Sequence, residues 1–252
     1  MYSEEKFAMQ APKERIALVT GANKGIGFEI ARQLGEEGIR ILVGARDPHR
    51  GEAAAAELRS KGLAVRYVQI DLTDPVTISD AVADIEAHEK RLDILINNAA
   101  ITSAGDGAPS AANIEAVRRT FDTNFFGTLA VTQSVLSLLK RSTSGRLVNV
   151  SSGLGSLAQL GDPNSEFSSF RFIGYSASKA ALNMLTIQLA AELRDTGIKV
   201  NSADPGYTAT DLNRHRGRQT VTEGAAAVVR LALLPDDGPT GGFFGADHPQ
   251  PW

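Results

Sequence analysis

Short apolar runs alternate with longer amphipathic ones from Arg15 to the end of the chain. The short runs predict strands over residues 15–20, 40–45, 64–71, 92–97, 145–151 and 199–204, with a brief one at 242–244. Several are almost continuously apolar, such as Ile16-Ala17-Leu18-Val19 and Ile94-Leu95-Ile96, as parallel strands covered on both faces must be. Asp47-Pro48 and Asp74-Pro75 each give the following stretch a capping carboxylate and a proline at the first helical position. Gly38, Gly62 and Gly197 stand where those helices should stop. The predicted fold class is α/β: a doubly wound parallel sheet with helices on both faces, its ligand crevice beyond the carboxyl ends of the strands.

That order fills one domain over residues 13–252, with residues 1–12 read as a flexible arm; 252 residues lie within the range of a single α/β core. Two connections are long for simple turns, 153–174 and 208–221, and both follow strands, which marks them as candidate substrate-binding segments. The hydrophobic fraction of 42% and charged fraction of 22% are those of a globular protein. A net charge of −3 without a basic stripe argues against nucleic acid as a partner. No apolar run approaches the ~20 residues that span a bilayer, and the arm, with Glu4, Glu5 and Lys6, lacks the apolar core of a secretory signal. The expectation is a cytoplasmic protein with no membrane partner. With no cysteine there is neither a disulfide framework nor a thiolate site. The four histidines make no metal-ligand spacing, so no metal is expected.

The first predicted strand runs into Gly21-Ala22-Asn23-Lys24-Gly25-Ile26-Gly27 and at once into a helix. Glycines there let a pyrophosphate approach the free N–H groups and positive dipole end of that helix. The spacing Gly-x3-Gly-x-Gly departs from the G-x-G-x-x-G fingerprint while keeping its mechanics, and a glycine turn is also a purely structural device. The second strand ends Ala45-Arg46-Asp47. A carboxylate here would receive the ribose hydroxyls of NAD, whereas a guanidinium would hold the 2′-phosphate of NADP. Asp47 has a competing use as helix cap, and Arg46 with Lys24 puts two cations near the adenosine end, so NADP(H) is the expected cofactor. A solvated strand-end charge is the plainer alternative for Arg46.

Tyr175 and Lys179 are spaced i,i+4 at the start of a helix read over 175–193, on one face and within reach of a common ligand. Lowering a phenol's pKa of about 10 by roughly 3 units requires about 4 kcal/mol. One ammonium at ~4 Å in an effective dielectric of ~20 interacts by about that much. Tyr2 and Lys6 share the spacing, but only Tyr175 follows a strand that ends Asn149-Val150-Ser151-Ser152. Ser152 is placed to donate a hydrogen bond to a carbonyl oxygen developing negative charge, although paired serines are also ordinary turn formers.

Taken together and in this order, residues 20–27, Asp71-Leu72, Asn97-Asn98-Ala99, Asn124, Ser152, Tyr175/Lys179 and Pro205-Gly206 resemble the short-chain dehydrogenases/reductases, over nearly the whole chain from Arg15. The resemblance implies a Rossmann-type fold with Tyr175 as general acid/base, Ser152 orienting the carbonyl, Lys179 holding the nicotinamide ribose, and Asn124 supporting a proton relay. It further implies cofactor contacts at Gly21, Asn23, Lys24, Gly25, Ile26, Gly27, Arg46, Asp71, Leu72, Asn98, Ala99, Pro205, Gly206, Thr208 and Thr210. Asn23–Gly27, Ala45-Arg46-Asp47, Thr123-Asn124-Phe125-Phe126-Gly127 and Leu231-Ala232-Leu233-Leu234-Pro235 resemble the carbonyl reductase branch. Ala100 departs from the family's usual glycine. The segment between Ser152 and Tyr175 is intermediate in length between the family's shortest members and its monomeric mammalian carbonyl reductases.

Phe167, Phe170, Phe172 and Tyr207 are candidates for an apolar wall around a ketone, or equally for packing anchors. Arg214, His215, Arg216 and Arg218 form a basic cluster, read as solvated or as touching a phosphate or acidic substrate. The reading is thus an NADP(H)-dependent enzyme that interconverts small-molecule carbonyls and alcohols; the alternative is a catalytically silent NADP(H)-binding sensor or scaffold. The 175–193 helix is apolar around much of its circumference, which predicts a homo-oligomer, dimer or tetramer, with a monomer left open.

Overall fold

The structure, a computed structural model, describes residues 15–252; the arm read at 1–12 lies outside the described residues. In chain order the main elements are β1 (Ile16–Thr20), α1 (Gly25–Glu36), β2 (Arg40–Ala45), α2 (Pro48–Ser60), β3 (Val65–Gln69), α3 (Pro75–His88) and β4 (Ile94–Asn97). Then come α4 (Ile114–Phe121), α5 (Thr128–Leu139), β5 (Arg146–Val150), α6 (Leu157–Gly161), α7 (Ile173–Glu192), β6 (Lys199–Ala203), α8 (Val221–Ala232) and β7 (Phe243–Phe244). A π-helical turn, Asp122–Gly127, joins α4 to α5.

The strands form one parallel sheet in the order β3-β2-β1-β4-β5-β6-β7. Alternation along the strands sorts the core into two layers. Ala17, Val19, Ile41, Val43 and Ile96 meet Ile30 and Leu34 of α1, Leu58 of α2 and Val228 and Leu231 of α8. Leu18, Leu42, Leu95, Leu147 and Val200 meet Ile85 of α3, Val135 and Leu138 of α5 and Leu189 of α7. Burial on both faces is why the strands read as unbroken apolar runs.

All seven predicted strands are present, each trimmed at one or both ends except β2. Of the trimmed residues, Ser151 and Asp204 still donate their N–H groups to the neighbouring strand, at the carbonyls of Ala203 and Phe244. Asp47 and Asp74 cap α2 and α3 through the N–H groups of Arg50 and Val76. Gly38, Gly62 and Gly197 adopt the left-handed conformation at helix ends. The 153–174 connection is not wholly irregular, since it contains α6 and a 3-10 turn, Gly153–Gly155. The strand order reverses between β1 and β4, which opens a crevice beyond their carboxyl ends, where the glycine turn lies.

Candidate active site

The glycine turn is held from below. Asn98 donates its amide to the carbonyls of Thr20 (2.9 Å) and Gly21 (3.3 Å), while Thr20 Oγ1 accepts the N–H groups of Asn98 and Ala99. Asn98 therefore acts on the turn, and its amide is spent there. Gly21 has φ +65°, and a side chain on it would lie 2.9 Å from Ala99 Cα; one on Gly27 would collide with the Asn98 amide. Gly25, with φ +58°, meets only the Thr210 methyl at 3.7 Å, so the turn is open on that side. The cap position of α1, Lys24, makes no side-chain cap, which leaves the first N–H groups of the helix for an anion. These features fit a dinucleotide pyrophosphate.

Lys24 Nζ pairs with Asp211 Oδ2 at 2.6 Å, tying the turn to the segment after β6, and Asp211 also accepts from His215. Arg46 is exposed beyond β2, while Asp47 spends its carboxylate on the Arg50 N–H at 3.0 Å. Of the two uses the sequence offered for Asp47, the structure shows the helix cap. Asp71 accepts from the N–H and hydroxyl of Thr73, and Leu72 is buried against the π-helical turn at Gly127. Thr208 is 3% exposed, donates to the Pro205 carbonyl at 2.9 Å and packs on Gly224, so it supports the loop from beneath. Thr210, above it, is the threonine that faces Gly25.

The catalytic candidates converge at the ends of β5 and β6. Lys179 is buried and donates to the Val150 carbonyl at 2.7 Å; its Nζ lies 5.7 Å from the centre of the Tyr175 ring. Ser152, extended at the end of β5, accepts the Leu154 N–H at 3.2 Å. Burial pushes the Tyr175 phenol up to about 12, against the downward pull of Ser152 and with a further push from the Asp204 carboxylate. Burial takes Lys179 the other way, to about 8, with Asp204 resisting. Desolvation thus outweighs the lysine–phenol attraction worked out from the sequence, because both groups lose more hydration than one ammonium restores. Asn124 is buried in the π-helical turn, where its amide brackets both backbone groups of Ile101 (2.8 and 3.0 Å) and donates to Ser178 Oγ at 3.1 Å.

Two residues that sequence reasoning missed complete the arrangement. Asp106 accepts the N–H groups of Gly174 and Tyr175, each at 2.8 Å, and so caps the catalytic helix from a distant loop. Asp204 directly follows β6 and is 9% exposed. An acid immediately before Pro205-Gly206 at a strand end was the available signal for it; nothing local marks Asp106.

Phe167, Phe170 and Phe172 form a ladder of rings with centroids 6.4 and 6.3 Å apart. Phe167 lies against Gly153, next to Ser152, while Phe170 and Phe172 are 37% and 43% exposed and Tyr207 44%. Arg214 and His215 both have positive φ beyond a 3-10 turn, Asp211–Asn213. Among the described residues no group of three His, Asp or Glu is placed to hold a metal, and no helix is long and apolar enough to cross a membrane.

A doubly wound sheet with a glycine turn after β1 and a serine–tyrosine–lysine group after β5 defines a dinucleotide-dependent oxidoreductase. The short chain dehydrogenase family model matches residues 15–220, and the chain belongs to that family. Salutaridine reductase of Papaver bracteatum is 35% identical over 92% of this chain and 94% of its own length. A (+)-neomenthol dehydrogenase of Capsicum annuum is 32% identical over 94% and 98%. The structure of an NADPH-bound carbonyl reductase from chicken fatty liver superposes with a TM-score of 0.83 at 28% identity, covering 95% of this chain and 99% of that one. The protein is an NAD(P)-dependent oxidoreductase with carbonyl reductase-like relatives.

Proposed function

We propose that the protein is an NADP(H)-dependent carbonyl reductase that converts small ketones or aldehydes to alcohols, and that Tyr175 is the acid/base. The observation that carries this reading is buried Lys179, anchored at the end of β5 with its Nζ 5.7 Å from the Tyr175 ring centre, together with the uncapped helix N-terminus after β1. When bound, the reduced nicotinamide supplies a hydride to the carbonyl carbon. Ser152 and Tyr175 both donate to the carbonyl oxygen, stabilising the charge that builds there. Tyr175 then passes its proton to that oxygen, giving the alcohol and a phenolate that is reprotonated from solvent. A phenol held near 12 is protonated at neutral pH, which is the form this step needs. Lys179, one N–H committed to Val150, keeps two donors for ribose hydroxyls. Asn124 holds Ile101 and Ser178 in place behind it.

The residues that would hold the cofactor are those of the turn for the pyrophosphate (Gly21, Asn23, Lys24, Gly25, Ile26, Gly27) and Arg46 for the 2′-phosphate. Asp71 and Leu72 would flank the adenine. Ala99, Pro205, Gly206 and Thr210 would line the nicotinamide side. Phe167 and Tyr207 are the substrate-facing aromatics, with Phe170 and Phe172 at the rim. The relatives named above, a neomenthol dehydrogenase among them, support a ketone or secondary alcohol as substrate. The test is NADPH consumption against a panel of ketones and aldehydes, for the intact protein and for Tyr175→Phe. Turnover that drops by about 10²-fold or more in the variant is expected. Unchanged turnover in Tyr175→Phe would overturn the role of Tyr175. No turnover on any carbonyl would leave the sensor reading in its place.

A further inference from the structure

Ser152 does not stand free at the end of β5. It opens the 3-10 turn Gly153–Gly155, its hydroxyl accepting the Leu154 N–H at 3.2 Å and its carbonyl the Gly155 N–H at 2.8 Å. Wherever that turn stands, the serine stands. Its glycines let it be clasped from both sides. A side chain on Gly155 would lie 2.8 Å from Lys179 Cβ, and the Gly155 carbonyl accepts the Asn183 amide at 3.2 Å, so one side rests on α7. A side chain on Gly153 would lie 2.7 Å from the Phe167 ring and 3.1 Å from Gln159 Oε1, so the other side rests on the connection between β5 and α7.

The helix that carries Gln159, α6, is five residues long, too short to persist without outside support. Past β7 the chain doubles back to supply it. Pro249 pairs antiparallel with Phe244, the Gln250 N–H donates to the Phe243 carbonyl at 2.8 Å, and the Trp252 ring stacks on that of Phe243 at 5.5 Å and 18°. From this seat the Trp252 main-chain oxygen accepts the Ala158 N–H at 2.9 Å, and Gln250 Oε1 accepts the Gln159 amide at 2.5 Å. With its nitrogen so committed, Gln159 turns its oxygen toward Gly153, where it is buried and has no hydrogen-bond partner among the described residues. A buried acceptor left unpaired is costly, so the amide is placed by its nitrogen and not by its oxygen.

We propose that Gln159 is a positioning residue for carbonyl reduction: anchored on Gln250, in a helix that Trp252 holds, its amide backs Gly153 and fixes where the Ser152 hydroxyl meets the substrate. A turn supported by α7 alone would let that hydroxyl wander, and rate falls steeply with small errors in the placement of a reacting group.

This inference rests on the reading of Ser152 as a donor to the carbonyl oxygen, and a double-mutant cycle separates the two. Gln159→Ala is expected to lower kcat for ketone reduction about tenfold, with a smaller change in the KM for the ketone and none in the Kd for NADPH, read from its fluorescence. In a Ser152→Ala background the same substitution should cost nothing further, since the group it positions is gone. Gln250→Ala removes the anchor without touching α6; it should act in the same direction, and it carries the cycle if Gln159→Ala does not fold. A merely structural role would cost the same factor in both backgrounds, which would overturn the proposal, as would a Gln159→Ala enzyme with the parent's kcat. Where Ser152→Ala turns over too slowly to measure, the cycle is read by calorimetry on the affinity of the product alcohol for the NADPH-bound enzyme. About a fivefold loss with the serine present and none without it supports the proposal, and equal losses overturn it. If Ser152→Ala keeps full turnover, the parent reading of Ser152 fails; if Ser152→Ala is impaired while Gln159→Ala costs as much without the serine as with it, this inference alone fails.

Discussion

Replacing Asp106 by alanine should loosen the catalytic helix at the turn that carries Tyr175. The first N–H groups of any helix lack partners within it, and at α7 the cap residue is Phe172, which offers no side-chain acceptor. Asp106 takes the place of a cap, receiving Gly174 N–H on one oxygen and Tyr175 N–H on the other, both at 2.8 Å. Loss of a capping side chain costs typically about 1 kcal/mol. Loss of a negative charge at a helix N-terminus adds about 0.3–1 kcal/mol, more when partly buried. Two bonds and one charge therefore come to about 2 kcal/mol. For a chain of this size, that corresponds to a fall in Tm of roughly 4–8 °C. Asp106→Asn keeps one acceptor and should lose about half as much. The catalytic effect exceeds the stability effect, because a shift of about 1 Å in a reacting group can cost 10²-fold. We expect kcat for ketone reduction to fall at least tenfold in Asp106→Ala with a smaller change in KM. Thermal melts and steady-state kinetics on both variants check this. An alanine variant that melts and turns over like the parent would refute the claim that Asp106 orders the helix start.

Arg46→Ser should raise the KM for NADPH about tenfold or more and leave that for NADH nearly unchanged, since a charge-assisted bond to a phosphate is worth about 1.5–3 kcal/mol; parallel kinetics with the two cofactors decide it. Acid should expose the α1–α8 junction, where Glu29 accepts from Arg32, Gln33 and Thr222 and is held down to about 2 from 4.5, chiefly by Arg32. A carboxylate with a depressed folded pKa stabilises above its unfolded value, and that contribution, about 3 kcal/mol, is lost as pH falls from about 4.5 through 2. Melting curves across that window should fall less steeply for Glu29→Gln, which begins less stable.

The sheet was legible because its strands are covered on both faces, so that burial alone writes an apolar run such as Ile94-Leu95-Ile96. Caps at Asp47 and Asp74 were equally legible, since each partner lies within three residues. What escaped is long-range or subtle in backbone geometry. Asp106 meets Gly174 across 68 positions, and no local pattern announces the pair. The π-helical turn Asp122–Gly127 keeps a helix-like periodicity, yet it turns the Asn124 amide onto Ile101 instead of along the helix. Thr208 and Thr210 sit two residues apart in a polar loop, and only packing against Gly224 shows which of them faces down.

Burial changes how the central pair should be understood. From spacing alone, an ammonium beside a phenol is a device for making the phenol acidic. In the folded protein Lys179 is anchored to Val150, its nitrogen is 5.7 Å from the ring centre, and desolvation drives both groups toward their neutral forms. A proton donor does not need a low pKa when the acceptor is a nascent alkoxide, which is far more basic than any phenolate; it needs to be protonated and in line. In the proposed reduction burial keeps the Tyr175 phenol protonated, and Asp106 fixes the helix turn that carries its hydroxyl. On the proposed mechanism Tyr175 serves as a neutral acid at physiological pH, and Lys179, anchored to Val150, acts first as a holder of the site and only second as a charge.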